Sequence, residues 1–207
     1  MLPRFMLEKK LSNEEAEAKA RFKEVTITSE DYWQGERGSW LEVPTVRGMD
    51  RVEVVKVFHI RGLKARGYEK IGKSIILRYL HNFDIYILRS YPFPDEKRVE
   101  GIKEYAAPIR IVHISNIFHP NIEPGPEAGS QYYGRVCWNI FYKRAWEPTF
   151  KLSSLMISYK NLIEMPNPED PITRVGICLE AASWFRKHGI TRYASRPARR
   201  LPRVVRG

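Results

Sequence analysis

The sequence predicts an α+β domain: an N-terminal helix, an antiparallel meander of four strands, and helices again at the C-terminal end. Two observations carry this. Segments rich in β-branched and aromatic residues cluster in the first half and are joined by short connections, as in a meander. The second half then switches to a helical period, so helices fall at the ends of one sheet rather than between its strands.

Each element has its own signal. Ser12-Asn13-Glu14-Glu15 has the S-x-x-E form of a capping box and predicts a helix from there to about Val25, with Leu11, Ala18, Phe22 and Val25 toward a core. The stretch from Glu30 to Gly38, rich in Gly, Trp and acids, breaks it. Strands are predicted at 39–46, 51–61 (RVEVVKVFHIR, alternating apolar and polar), 73–80, 84–89 and 108–114. Tyr91-Pro92-Phe93-Pro94 closes the run as an extended turn. Across 148–165, Leu152, Leu155, Met156, Tyr159, Leu162 and Ile163 share one helical face, and Pro166 stops that helix. Ile157 stands about 150° from the centre of the apolar stripe, among polar neighbours, and is read as outward. Asp170 and Pro171 read as cap and first turn of a last helix running to His188, stopped by Gly189.

Composition bounds the function. The 207 residues are 43% hydrophobic and 29% charged, enough for one domain with a core of its own. No apolar run reaches the roughly 18 residues of a membrane span, which with the absence of a signal-peptide pattern predicts a soluble, cytoplasmic protein. Cys137 and Cys178 stand 41 positions apart without CxxC partners, and the five histidines show no ligand spacing. No metal centre and no cofactor are expected. The net charge is +11, and six of those charges are arginines of residues 191–207, which contain no acid. We read 1–190 as a single domain, with insertions near 94–107 and 122–133, and 191–207 as a basic tail. A solvated appendage is the simpler reading of that tail, and an accessory nucleic-acid contact the other.

The most informative residues come in a fixed order. Phe118-His119-Pro120-Asn121 precedes Gly134-Arg135-Val136-Cys137, then Trp146-Glu147-Pro148, then Pro166-Asn167-Pro168-Glu169-Asp170-Pro171, with Tyr91-Pro92-Phe93 before and Glu180-Ala181-Ala182 after. This series resembles the ubiquitin-conjugating enzyme (UBC) family: an HPN tripeptide, a G-x-[IV]-C segment, W-x-P, a long helix and PNPxDP. The resemblance is dense from about 84 to 188 and rests on element order alone from 12 to 80.

It implies a UBC-like fold and an acyl carrier. Cys137 would take ubiquitin or a ubiquitin-like protein from an activating enzyme, and a substrate lysine would then attack the thioester. Asn121 would steady the oxyanion or the loop, and Asp170 would orient and help deprotonate the lysine. Phe93 and Pro148 would dock a RING-type ligase, and Ile157 would contact the donor modifier. The chemistry agrees, because no histidine neighbours Cys137 in sequence. A hydrolase wants a base beside its thiol, whereas a carrier benefits from a thiol near its ordinary pKa of about 8.5. His119 reads as a buried hydrogen-bonding hub, and Cys178 as a core thiol.

Several features depart from the family. Asn121 and Cys137 are 16 positions apart, and the extra residues either cover the cysteine or displace Asn121 from it. Asn139 stands where many members carry an acid. These differences suggest a divergent member from a minimal archaeal or prokaryotic pathway. The alternative is an inactive UBC-like scaffold that binds modifier or ligase without chemistry. Retention of Cys137 argues against it.

Overall fold

The computed structural model describes residues 1–94, 106–142 and 145–188. The insertion near 94–107, apart from its two ends, Gly189 and the basic tail lie outside these residues.

Helix α1, Arg4–Arg21, begins eight residues before the capping-box serine. Leu7, Leu11, Glu14 and Ala18 form its buried stripe, a spacing of three and four that carries the helix back through the first turn and leaves Ser12 exposed in its middle. Phe22 and Val25 fall beyond the helix, only partly buried.

The sheet holds the expected four-strand meander and two strands more. Strands β3 (Arg37–Thr45), β4 (Gly48–Ile71), β5 (Ser74–Leu88) and β6 (Ile109–His113) pair antiparallel in that order. In addition β1 (Thr26–Asp31) pairs with the middle of β4, and the two-residue β2 (Trp33–Gln34) pairs with β3. The segments predicted at 51–61, 73–80 and 84–89 are parts of one long hairpin. Register shifts at Ile60/Leu63 and Lys64/Gly67 interrupt the alternation of β4, which is why its second half, residues 62–71, does not read as strand in sequence.

One face of the sheet packs against α1 and α2 (Leu152–Glu164), where Leu155, Met156 and Tyr159 meet Phe58, Phe83 and Ile85 in the main core. A second cluster, including Val43, Val52, Val54 and Leu88, covers part of the sheet's other side. Helix α3 runs Gly176–Lys187 and starts five residues later than predicted. Asp170 does not cap it. The Ile172 N–H donates to the Pro120 carbonyl at 2.9 Å, and the Asp170 carbonyl is held by Asn121, so this segment is pinned to the HPN loop instead of turning into helix.

Candidate functional site

Local chemistry first shapes the loop that presents Cys137. His119 is buried; its Nε2–H donates to the Leu162 carbonyl on α2 at 3.0 Å, and its Nδ1 accepts the Asn121 N–H at 3.0 Å. Both ring nitrogens are thereby occupied, and burial pushes the imidazole pKa down to about 3. The hub expected from sequence is in place, and it fixes where Asn121 points.

Asn121 then ties two further segments together. Its main-chain carbonyl accepts the Cys137 N–H at 2.8 Å. Its side-chain Nδ2 donates to the carbonyls of Asn167 (3.0 Å) and Asp170 (2.7 Å), and its Oδ1 accepts the Asn167 N–H at 2.7 Å. Both amide hydrogens and the amide oxygen are thus engaged by the 167–170 segment.

The 16-residue separation therefore does not displace Asn121. The extra residues leave and return as a closed excursion: Ile122 bridges Val136, and Glu123 meets Arg135 through paired side-chain bonds of 2.7 and 2.8 Å. At its root Gly134 has φ +66°, and a β-carbon there would lie 1.8 Å from the His113 carbonyl, so only glycine fits. The excursion packs down against β6.

Cys137 is half-buried and borders a cleft of about 530 Å³. Ser158, Asn161 and Leu162 of α2 line it, together with Asn167, Asp170, Phe150 and Tyr142. No histidine is among the lining residues. Burial pushes the Cys137 thiol up to about 11, and the negative charge of exposed Asp170 adds to that. The thiol is protonated at neutral pH. Beside it, Cys178 is sealed in the interior with Ile172 and Val175, its thiol pKa also raised by burial.

The YPF turn and the W-x-P loop also meet. The buried Trp146 indole N–H donates to the Pro92 carbonyl at 2.7 Å, leaving Phe93 and Pro148 exposed on the two joined segments. Ile157 is half-buried on α2 rather than fully outward, and it is not among the cleft residues. Asn139 is exposed and lines the cleft near Cys137.

Sequence reasoning missed Ser158 and Asn161 as cleft residues. Both sit on the polar side of the amphipathic pattern, which reads as solvent; their only signal is closeness to Leu162 and Met165, which line the same cleft. Among the described residues no cluster of His, Cys, Asp or Glu forms a metal site, and no helix is long and apolar enough to cross a membrane.

The chain is similar to known proteins over part of its length. A ubiquitin-conjugating enzyme E2 T of Xenopus laevis is 27% identical over 124 residues, covering 54% of this chain and 54% of that protein. A ubiquitin-conjugating enzyme E2 2 of Saccharomyces cerevisiae is 31% identical over 81 residues, 39% of each. The chain thus spans about half or less of the length of these curated relatives. A Toxoplasma gondii ubiquitin conjugating enzyme E2 domain aligns over 88% of both chains at 16% identity with a TM-score of 0.46. The family model described as "Ubiquitin-conjugating enzyme" matches residues 80–188, more than half of the sequence and the part that holds the whole Cys137 cleft, so the chain belongs to the ubiquitin-conjugating enzyme family.

Proposed function

We propose that this protein carries ubiquitin or a ubiquitin-like protein as a thioester on Cys137 and passes it to a substrate lysine. The observation that carries the reading is a half-buried thiol on a cleft that holds Asp170 and is lined by no histidine. In loading, the Cys137 sulfur attacks the carbonyl carbon of the modifier held on an activating enzyme, and its proton ends on the departing sulfur. A new C–S bond forms, and the enzyme's own sulfur leaves. In transfer, the lysine amine attacks that carbon, a C–N bond forms, and Cys137 leaves as thiolate.

The residues divide the work. Asp170 faces the cleft from a segment anchored by Asn121, where its carboxylate orients the amine and takes its proton. Asn121 acts through the loop, since its amide is already committed there. A thiol with a raised pKa is a poor leaving group, and with no histidine lining the cleft to activate water the thioester outlives its wait for an acceptor. Phe93 and Pro148 offer the docking place for a RING-type ligase, and Ile157 a contact for the donor modifier. The closed 122–136 excursion and Asn139 support a divergent member serving a minimal archaeal or prokaryotic pathway. We read the arginines of 191–207 as a solvated appendage, with an accessory contact for nucleic acid as the alternative.

The test is a charging reaction with ATP, an activating enzyme and a ubiquitin-like protein. A covalent adduct that thiol reductants cleave, and that is missing in Cys137→Ala, is expected. An adduct that persists in Cys137→Ala sinks the assignment. A chain that binds modifier yet forms no adduct is a scaffold.

A further inference from the structure

The far half of the β4–β5 hairpin is unlike the rest of the surface. Ile71, Ile76, Leu77, Tyr79 and Leu80 are between 42% and 58% exposed, and they lie within ten consecutive residues. Beneath them the arm is anchored: Tyr68 packs on Trp184 and Phe185 of α3, ring centroids 5.3 and 5.4 Å away, and Lys70 pairs with Glu180.

The two edges of this arm differ. On the β4 side, the Tyr68 carbonyl accepts the Phe118 N–H at 2.6 Å, so that edge is covered. The same bond shows that the main-chain groups of Tyr68 face away from β5. Its register partner is Leu77, and in an antiparallel pair both members of such a position face outward, so the N–H and C=O of Leu77 point away from β4. No strand meets them, because β6 pairs only with Phe83–Ile87 among the described residues. Natural edges of this kind are guarded by lysine, proline or a bulge. Between Ser74 and Leu80 there is no lysine and no proline, and the single charge, Arg78, is held by Glu69 at 2.8 Å.

We infer that this edge of β5, Ser74–Leu80, is where two copies of the chain associate, strand to strand and antiparallel about Leu77. The sequence SIILRYL is complementary to itself in that register. Leu77 meets its own copy, Ile75 meets Tyr79 on the same face, and β-branched–aromatic cross-strand pairs of this type are favourable. Arg78 falls opposite Ile76, so no like charges meet, and each Arg78 keeps its own Glu69. The interface is small, which places the association in the weak, concentration-dependent class. The inference is independent of the chemistry at Cys137.

Sedimentation equilibrium of the full chain, from about 5 to about 200 µM, tests it. The weight-average mass should climb from 24.3 kDa toward twice that value. Leu77→Lys should weaken association at least tenfold by placing two ammonium groups face to face. Met49→Lys, which adds the same charge at an exposed apolar position of a different hairpin, should leave it unchanged. Higher salt should tighten association, because two chains of net charge +11 repel. A mass of 24.3 kDa throughout, association that survives Leu77→Lys, equal loss in Met49→Lys, or weakening by salt would each overturn the proposal.

Discussion

The main-chain carbonyl of Asn121 accepts the N–H of Cys137 at 2.8 Å, while the same residue's side chain grips the segment that bears Asp170. One asparagine thus ties the Cys137 backbone to the segment that bears Asp170. The two links are chemically separable, because only one depends on the side chain.

Asn121→Ala should therefore split the reaction. The main-chain bond to Cys137 survives, so thioester formation should stay within a few-fold of wild type. The Asn167–Asp170 segment loses three hydrogen bonds, and lysine discharge should fall tenfold or more. Melting should report a loss of roughly 1–3 kcal/mol, the cost of leaving the Asn167 N–H unmatched. Equal loss of charging and discharge would contradict this division.

Asp170→Asn should act in opposite directions on two assays. Its carboxylate is the second cause, after burial, of the high Cys137 pKa, so neutralising it lets the thiolate form more readily. Alkylation by iodoacetamide at pH 8 should quicken while transfer to lysine slows. In the wild-type protein, alkylation should rise about tenfold per pH unit from 7 to 9, since the thiol titrates near 11. A plateau below pH 9 would place the pKa elsewhere.

Three buried histidines make the fold acid-sensitive. Burial holds His81 neutral down to about 4 and His119 down to about 3, with His113 also well below its ordinary value. Arg78 lowers His81 further, and Glu164 opposes it. Unfolded, all three take up protons below about 6.5, so the unfolded chain binds more of them. Stability is held above that pH and drains as pH falls toward the folded values. The slope is roughly 1 kcal/mol per histidine per pH unit. Urea denaturation at pH 7, 6 and 5 should show a drop of about 3 kcal/mol over the last step, and a flat profile would refute the neutral, buried assignment.

Glu123 is the least exposed carboxylate paired with a cation near the site, its side chain 1% accessible. Glu123→Ala leaves the Arg135 guanidinium without its bidentate partner and should cost about 3 kcal/mol in chemical denaturation. The loss should come with faster proteolysis within 122–136. Undiminished stability would mean that the excursion is held by its main-chain bonds and its glycine contacts without the ion pair.

The sequence shows the chemistry of this protein more plainly than its scaffold. HPN, the cysteine and PNPxDP are legible because each depends on a specific side chain at a specific position, and they converge in space through Asn121. Strand β1 is not, because in Thr26–Asp31 only Ile27 is buried, leaving no alternation to read. The start of α1 is masked by Ser12, a sound cap by local rules that loses to the tertiary stripe Leu7–Leu11–Glu14. Asp170 likewise reads as a cap from its neighbours, while its main chain answers to Asn121, 49 positions away. Short-range rules fail where a distant residue competes for the same backbone group.

Trp146 joins more than two loops. Its ring lies 5.3 Å from that of Phe150, a wall of the cleft, and the Tyr91 hydroxyl is 2.8 Å from the Phe150 carbonyl. A protein that grips Phe93 thus pulls on a bracket bolted to the chamber where the thiol sits.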